Sequence, residues 1–288
     1  MLLVSLVIII AGVILPKLYG RYVAAAGWVL FGLYWGLSTP FYYLHEHNIM
    51  YTVACILAIP ATFYGAYILV RYGRESLMVL TRCAAIASVF YFPFQYIPWL
   101  NQWLIETTTT ITFWIITALG EPAMRNYSPD SGINDIIVLN GQRVQIILAC
   151  TAIQSMAIFV GVVGAVRVDW RRWLTAFLIS VPVIYVLNLG RNLFVISSFG
   201  NQWFQIMPDT VVGWTGEPVT YTSFFWAHNV IAETGSLVAL VVISYAVMTM
   251  MPELLSYLMD ILDLIKIENI KKMLKGQEVL AKPLQRVK

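Results

Sequence analysis

Three residues with complementary chemistry, Cys150, Arg191 and His228, stand near the ends of three successive apolar runs. A free thiol with a pKa of about 8.5 is a weak nucleophile at neutral pH, and a neighbouring cation or histidine makes it a stronger one. An arginine stays protonated and cannot act as a base, but its guanidinium can stabilise a thiolate or an oxyanion. A histidine can take the thiol proton and return it to a leaving amine. Supporting hydrogen-bonding groups lie beside each of the three: Gln154 and Ser155 one helical turn after Cys150, Asn188 and Asn192 around Arg191, and Asn229 next to His228.

Each also has a plainer reading. Cys150 can be a small buried hydrophobe, Arg191 a snorkelling anchor, and His228 a packing histidine. Cys55 and Cys83, among apolar neighbours with no base nearby in sequence, read as buried thiols, and His45 and His47 as solvated loop residues. One Cys and one His fall short of a zinc ligand set, so no metal and no cofactor is implied.

The elements that position these residues follow from composition. With 59% hydrophobic and 11% charged residues over 288 positions, the chain is an all-α polytopic membrane protein. Seven runs are expected to span: Met1–Leu15, Tyr22–Ser38, Ile49–Val70, Leu77–Ile97, Val144–Val166, Trp173–Leu189 and Ser223–Met250. The first is read as a helix rather than a cleavable signal, because no positive segment precedes it. Asn101–Gly120 makes an eighth if it spans, but Glu106 and the run Thr107–Thr110 occupy its middle. A polar centre is costly in lipid, so an interfacial or re-entrant helix is expected there.

Lys17, Arg21, Arg71, Arg74, Arg167, Arg171, Arg172 and the lysines from Lys266 onward set the orientation by the positive-inside bias. The N-terminus then lies outside, the C-terminus in the cytoplasm, and the three candidate residues near the outer face. Asn140-Gly141 between Asp135–Leu139 and Gln142–Ile146 predicts a small extracellular β-hairpin leading into the Cys150 helix. Leu254, Leu258, Ile261, Leu262 and Ile265 recur at helical spacing and predict a cytoplasmic amphipathic helix. Residues 1–250 are therefore read as the transmembrane catalytic domain and 251–288 as amphipathic helix and polar tail. The net charge of +3, without a basic stripe, argues against nucleic acid as a partner.

Ala149-Cys150-Thr151-Ala152-Ile153-Gln154-Ser155-Met156-Ala157, the segment Asn188…Arg191-Asn192 and Phe225…Ala227-His228-Asn229 resemble the Cys, Arg and His motifs of the exosortase/archaeosortase family, in the same order and at similar spacing. Some members of that family carry Arg where His228 stands. The resemblance implies a membrane-embedded cysteine transpeptidase acting on secreted proteins with a C-terminal tripartite signal: a Pro-Gly-Phe type motif, an apolar helix and a basic end. It further implies Cys150 as nucleophile forming a thioester, Arg191 as stabiliser of the oxyanion or thiolate, His228 as general acid and base, and a membrane lipid as acyl acceptor. Trp203, Trp214 and Tyr221 are placed to receive the substrate, and Pro208–Thr222, with Asp209, Gly213, Gly216, Glu217 and Pro218, to act as a lid.

Two other classes compete. A transporter or channel would carry ionisable residues in the middle of several spans, whereas here Arg82 is the main such charge. A thiol-dependent membrane acyltransferase would share the thioester chemistry but take its acyl group from a lipid.

Overall fold

The computed structural model describes residues 1–44 and 49–277. His45, His47 and the tail beyond Gln277 lie outside the described residues. Helix dominates, as lipid requires of a spanning chain whose backbone must satisfy its own hydrogen bonds. The order is α1 (Leu2–Ile14), α2 (Lys17–Leu44), α3 (Ile49–Tyr72), α4 (Glu75–Tyr96), α5 (Pro98–Ala118), β1 (Ala123–Ser128), β2 (Ile133–Leu139) and β3 (Gln142–Gln145). There follow α6 (Ile153–Ala165), α7 (Trp170–Gly200), α8 (Pro208–Thr215), α9 (Tyr221–Met250), α10 (Pro252–Leu264) and α11 (Ile267–Leu274).

Among the described residues, four helices are long and apolar enough to cross a membrane: Tyr51–Tyr72, Glu75–Tyr96, Trp170–Gly200 and Tyr221–Met250. The runs expected to span at Met1–Leu15 and Val144–Val166 yield only the 13-residue helices α1 and α6. A helix of 13 residues is about 20 Å long, shorter than the hydrocarbon core of roughly 30 Å. Asn101–Gly120 falls almost wholly within α5, one unbroken 21-residue helix. Its threonines are turned inward, with Thr108, Thr109 and Thr112 fully buried and Thr109 and Thr110 donating to carbonyls one turn back, while Glu106 stays partly exposed and pairs with Arg125 at 3.7 Å.

The chain divides into two compact units. The first holds residues 1–89, 160–173 and 250 onward. Close approach between its helices depends on glycine: a Cβ on Gly12 would come within 2.6 Å of the Ala24 backbone, and one on Gly161 of α6 would meet the Cys83 carbonyl of α4. Its core gathers Ala24, Ala25, Ala66, Ile68, Leu69 and Leu77 with Leu264 and Met273 from the two C-terminal helices. The stripe predicted to be amphipathic therefore packs partly on protein. Tyr64 donates to the Leu264 carbonyl, and Tyr67 and Tyr72 to that of Met273, while Leu258, Leu262 and Ile265 stay outward.

Arg172 clasps Glu253 through two hydrogen bonds of 3.0 and 2.7 Å. That contact holds the Glu253 carboxyl below the usual carboxylate range. A carboxyl depressed in the folded state adds stability above its unfolded pKa and loses that contribution as pH falls through the folded one. Both side chains are about two-fifths exposed, so solvent screens the pair and the effect is small.

The second unit, residues 90–159 and 174–249, holds the candidate chemistry. Its sheet has the order β1-β2-β3, all antiparallel, with Leu139 opposite Gln142 across the two-residue turn. Asn140 and Gly141 have φ of 49° and 83°, the left-handed pair that a type I′ turn needs. The predicted hairpin is therefore present, and β1 adds a third strand that the weak alternation in Ala123–Ser128 did not announce. Ile137 and Leu139 of β2, Ile146, Ile105 and Ile116 of α5 and Ile196 of α7 form one apolar core. Thus α7 continues to Gly200, eleven residues past the Leu189 expected as its end, because its last turns pack on the sheet: a Cβ on Gly200 would fall 2.5 Å from the Leu139 side chain.

Gly161→Leu is expected to lower the thermal midpoint in detergent by roughly 5 °C, since overpacking costs about 1–3 kcal/mol. Gly235→Leu, at an open position of α9, should leave the midpoint unchanged.

Candidate active site

The run Val144–Val166, expected to be one helix with Cys150 inside it, is divided into three. Gln145 ends β3, Leu148–Thr151 forms a single 3-10 turn, and α6 starts at Ile153. Ala152, between turn and helix, has φ 57° and ψ 11°, a left-handed conformation that costs a non-glycine residue about 1 kcal/mol or more. Cys150 therefore sits on a turn and not in a helix. The apolar residues before it are hydrophobic because they meet protein: Ile146 is buried in the sheet core, and Leu148 and Cys150 pack against it.

The turn is tied at both ends. The Cys150 amide donates to the Ile147 carbonyl at 2.8 Å, and the Thr151 hydroxyl to the Leu148 carbonyl at 2.7 Å. The Cys150 carbonyl accepts from two side-chain amides of α7, Asn188 Nδ2 at 2.7 Å and Asn192 Nδ2 at 2.9 Å. Positions 188, 191 and 192 are related by i, i+3 and i+4, so these asparagines share a helix face with Arg191. Two hydrogen bonds thereby bring the half-buried Cys150 to the face that carries the arginine.

Arg191 Nη2 lies 3.2 Å from His228 Nε2, and His228 Nδ1 lies 2.7 Å from Asn229 Oδ1. A guanidinium only donates, so Nε2 must present its lone pair to Arg191. The proton of neutral His228 then resides on Nδ1 and is donated to the Asn229 oxygen. The imidazole is also stacked on Phe224 with centroids 5.0 Å apart, and Phe224 meets Phe199 edge-on. This part of α9, Phe225–Ala232, is wound as a π-helix, a local form common at functional sites.

All three principal residues, and Asn188, Asn192 and Asn229, thus fall in one unit and join in two hydrogen-bonded groups, one around the Cys150 carbonyl and one around His228. Gln154 departs from this cluster, its side chain reaching Tyr91 of α4 at 3.4 Å, because the bend at Ala152 breaks the helical phase that would have aligned it with Cys150. Ser155, beyond the same bend, is half-buried on α6. Cys55 and Cys83 lie in the other unit, on α3 and α4.

The segment read as a lid is partly helical, with α8 covering Pro208–Thr215. Just before it, the Ile206 carbonyl accepts from Trp226 Nε1, and the Phe204 amide donates to Ser223 Oγ, so the segment is fastened to the start of α9. Trp214 and Glu217 are exposed, and Trp203 lies near Phe194. Sequence reasoning missed Phe224, whose spacing of four residues before His228 on a helix was the available signal, and the strained Ala152, for which no residue-type signal exists.

The family described as transmembrane exosortase (Exosortase_EpsH) matches residues 2–226. Archaeosortase A of Haloferax volcanii is 34% identical over 257 residues, covering 84% of each chain. Archaeosortase A of Natronomonas pharaonis is 30% identical over 266 residues, covering 87% of this chain and 82% of that one. No solved structure matches.

Replacing both Asn188 and Asn192 by Ala leaves the Cys150 carbonyl without its side-chain donors, at a cost of about 1–3 kcal/mol. In a background with Cys55 and Cys83 changed to Ala, maleimide labelling of Cys150 is expected to accelerate several-fold as the turn loosens, with a lower thermal midpoint.

Proposed function

Because the chain belongs to the transmembrane exosortase family, we propose that it is a membrane-embedded cysteine transpeptidase that cleaves the C-terminal sorting signal of secreted surface proteins and transfers the new C-terminus to a lipid. The observation that supports this reading is the pair of hydrogen bonds from Asn188 and Asn192 to the Cys150 carbonyl, which tie the Cys150 main chain to the helix face that carries Arg191. The substrate is a secreted protein ending in a Pro-Gly-Phe type motif, an apolar helix and a basic end. Its site of action is the outer membrane face, with the N-terminus of this chain outside and its C-terminus cytoplasmic.

In the proposed reaction Cys150 Sγ attacks the scissile carbonyl while its proton passes to His228 Nε2. That nitrogen is capped by Arg191 at 3.2 Å, so the guanidinium must turn away first. It turns toward the developing oxyanion, which a free guanidinium donor can stabilise. The step thus links uncapping of the base to occupation by substrate. Asn229 fixes the imidazole tautomer throughout, and Phe224 fixes its plane. Collapse of the tetrahedral species breaks the C–N bond, the leaving amine takes the proton from His228, and a thioester remains on Cys150. An amine of a lipid headgroup then attacks the thioester and gives its proton to His228; the C–S bond breaks, the acyl group leaves as an amide, and His228 returns the proton to the departing Cys150 thiolate. Electrons and protons balance without any cofactor.

Co-expression with a reporter bearing such a signal tests the reading. Cys150→Ala is expected to abolish C-terminal processing, and unchanged processing in that variant would sink the mechanism. Arg191→Ala should lower the rate by about 10²–10³, the loss typical of removing an oxyanion donor. His228→Gln should lower it by about 10²–10⁴.

A further inference from the structure

The three-stranded sheet ends on a strand that pairs on one side only. Among the described residues, the order β1-β2-β3 leaves the far edge of β3 without a neighbouring strand. In the antiparallel register, Leu139 faces Gln142, Val138 faces Arg143, Ile137 faces Val144 and Ile136 faces Gln145. The Ile146 amide donates to the Asp135 carbonyl at 2.8 Å, so the pairs that exchange bonds are 135 with 146, 137 with 144 and 139 with 142. It follows that the amides and carbonyls of Arg143 and Gln145 point away from β2. Both residues are exposed. Among the described residues, no backbone group outside the sheet hydrogen-bonds to the main chain of Arg143 or Gln145.

That edge leads straight to the thiol. After Gln145 the chain pairs once more through Ile146, continues extended at Ile147 (φ −105°, ψ 173°) and reaches Cys150 at the turn. Cys150 lies five positions after Gln145, so the two are at most about 18 Å apart along the backbone. A strand laid along β3 would sit about 4.8 Å from it and run within a few residues of the nucleophile.

We infer that the β3 edge, through the outward main-chain groups of Arg143 and Gln145, is the docking site for the extended segment of the substrate next to its apolar helix, which binds there as a fourth strand. The inference rests on the proposed transpeptidase reading and names how that reaction receives its peptide. Main-chain pairing favours this occupant for two reasons. An unpaired strand edge close to a bilayer must be met by water or by another backbone, since lipid cannot satisfy it. Strand addition also fixes peptide direction and register, which attack on one chosen carbonyl requires, while alternate side chains remain free to be read by pockets.

The test separates docking from catalysis. In a chain with Cys55, Cys83 and Cys150 all changed to Ala, Arg143→Cys supplies a single thiol. A reporter ending in a Pro-Gly-Phe motif, an apolar helix and a basic end carries single cysteines stepped through eight residues before that helix. Mild oxidation is expected to give disulfides at alternate positions, at least about fivefold above those between, because alternate residues of a paired strand share a face. Uniform or absent cross-linking overturns the proposal. With Cys150 restored, Arg143→Pro removes one outward N–H without touching the bonds to β2. It should reduce processing about tenfold relative to Arg143→Ala, which keeps the N–H, with an unchanged thermal midpoint. Equal activity of the two variants also overturns the proposal. Alternate cross-links together with processing by Cys150→Ala would leave the docking site standing and remove the cysteine mechanism instead.

Discussion

The candidate site depends on one carbonyl oxygen. The main-chain oxygen of Cys150, accepting from Asn188 and Asn192, joins the sheet-borne turn to α7, the longest helix among the described residues. Without that joint the turn would be held only by its own short-range bonds and by the apolar contacts of Leu148. With it, Cys150, Arg191 and His228 are all referred to one helix, since Arg191 lies between the two asparagines and hydrogen-bonds His228. The asparagines suit the role because each presents two N–H donors on a short side chain with few rotamers to freeze. Two donors on one buried carbonyl also leave little freedom to the peptide that follows, which enters a left-handed conformation at Ala152.

Much of this was legible in the sequence, and for identifiable reasons. Composition announced a helical membrane protein because transfer to lipid is a bulk property that counting residues captures. Asn140-Gly141 announced the hairpin because both residues must adopt positive φ, which few other dipeptides tolerate. The three candidate residues were singled out by type and by their place at run ends, and the structure puts them in one unit.

What stayed hidden was whatever hydropathy cannot distinguish. A run such as Ile146-Ile147-Leu148-Ala149 is equally apolar whether it faces acyl chains or a protein core, and here part of it plugs the space between β2, α5 and α7. The same ambiguity works in reverse on α5, where polar threonines are buried within the protein and Thr109 and Thr110 donate to carbonyls of their own helix. The helix phase that would have carried Gln154 to the thiol failed at Ala152, a residue whose identity gives no warning of its backbone angle. Asn188 and Asn192 could be singled out by position, but that they would grip a main-chain oxygen is a tertiary fact.

The hairpin has a consequence for how the protein lives in bilayers of different composition. A residue inside a spanning helix shifts in depth when the helix tilts to match a thicker or thinner hydrocarbon layer. Cys150 is instead placed by the register of β3 on β2 and by a two-residue turn, a ruler made of discrete steps of about 3.3 Å. Through its carbonyl the Cys150 turn is also tied to α7, so the turn follows the sheet and that helix together and not the tilt of a helix of its own.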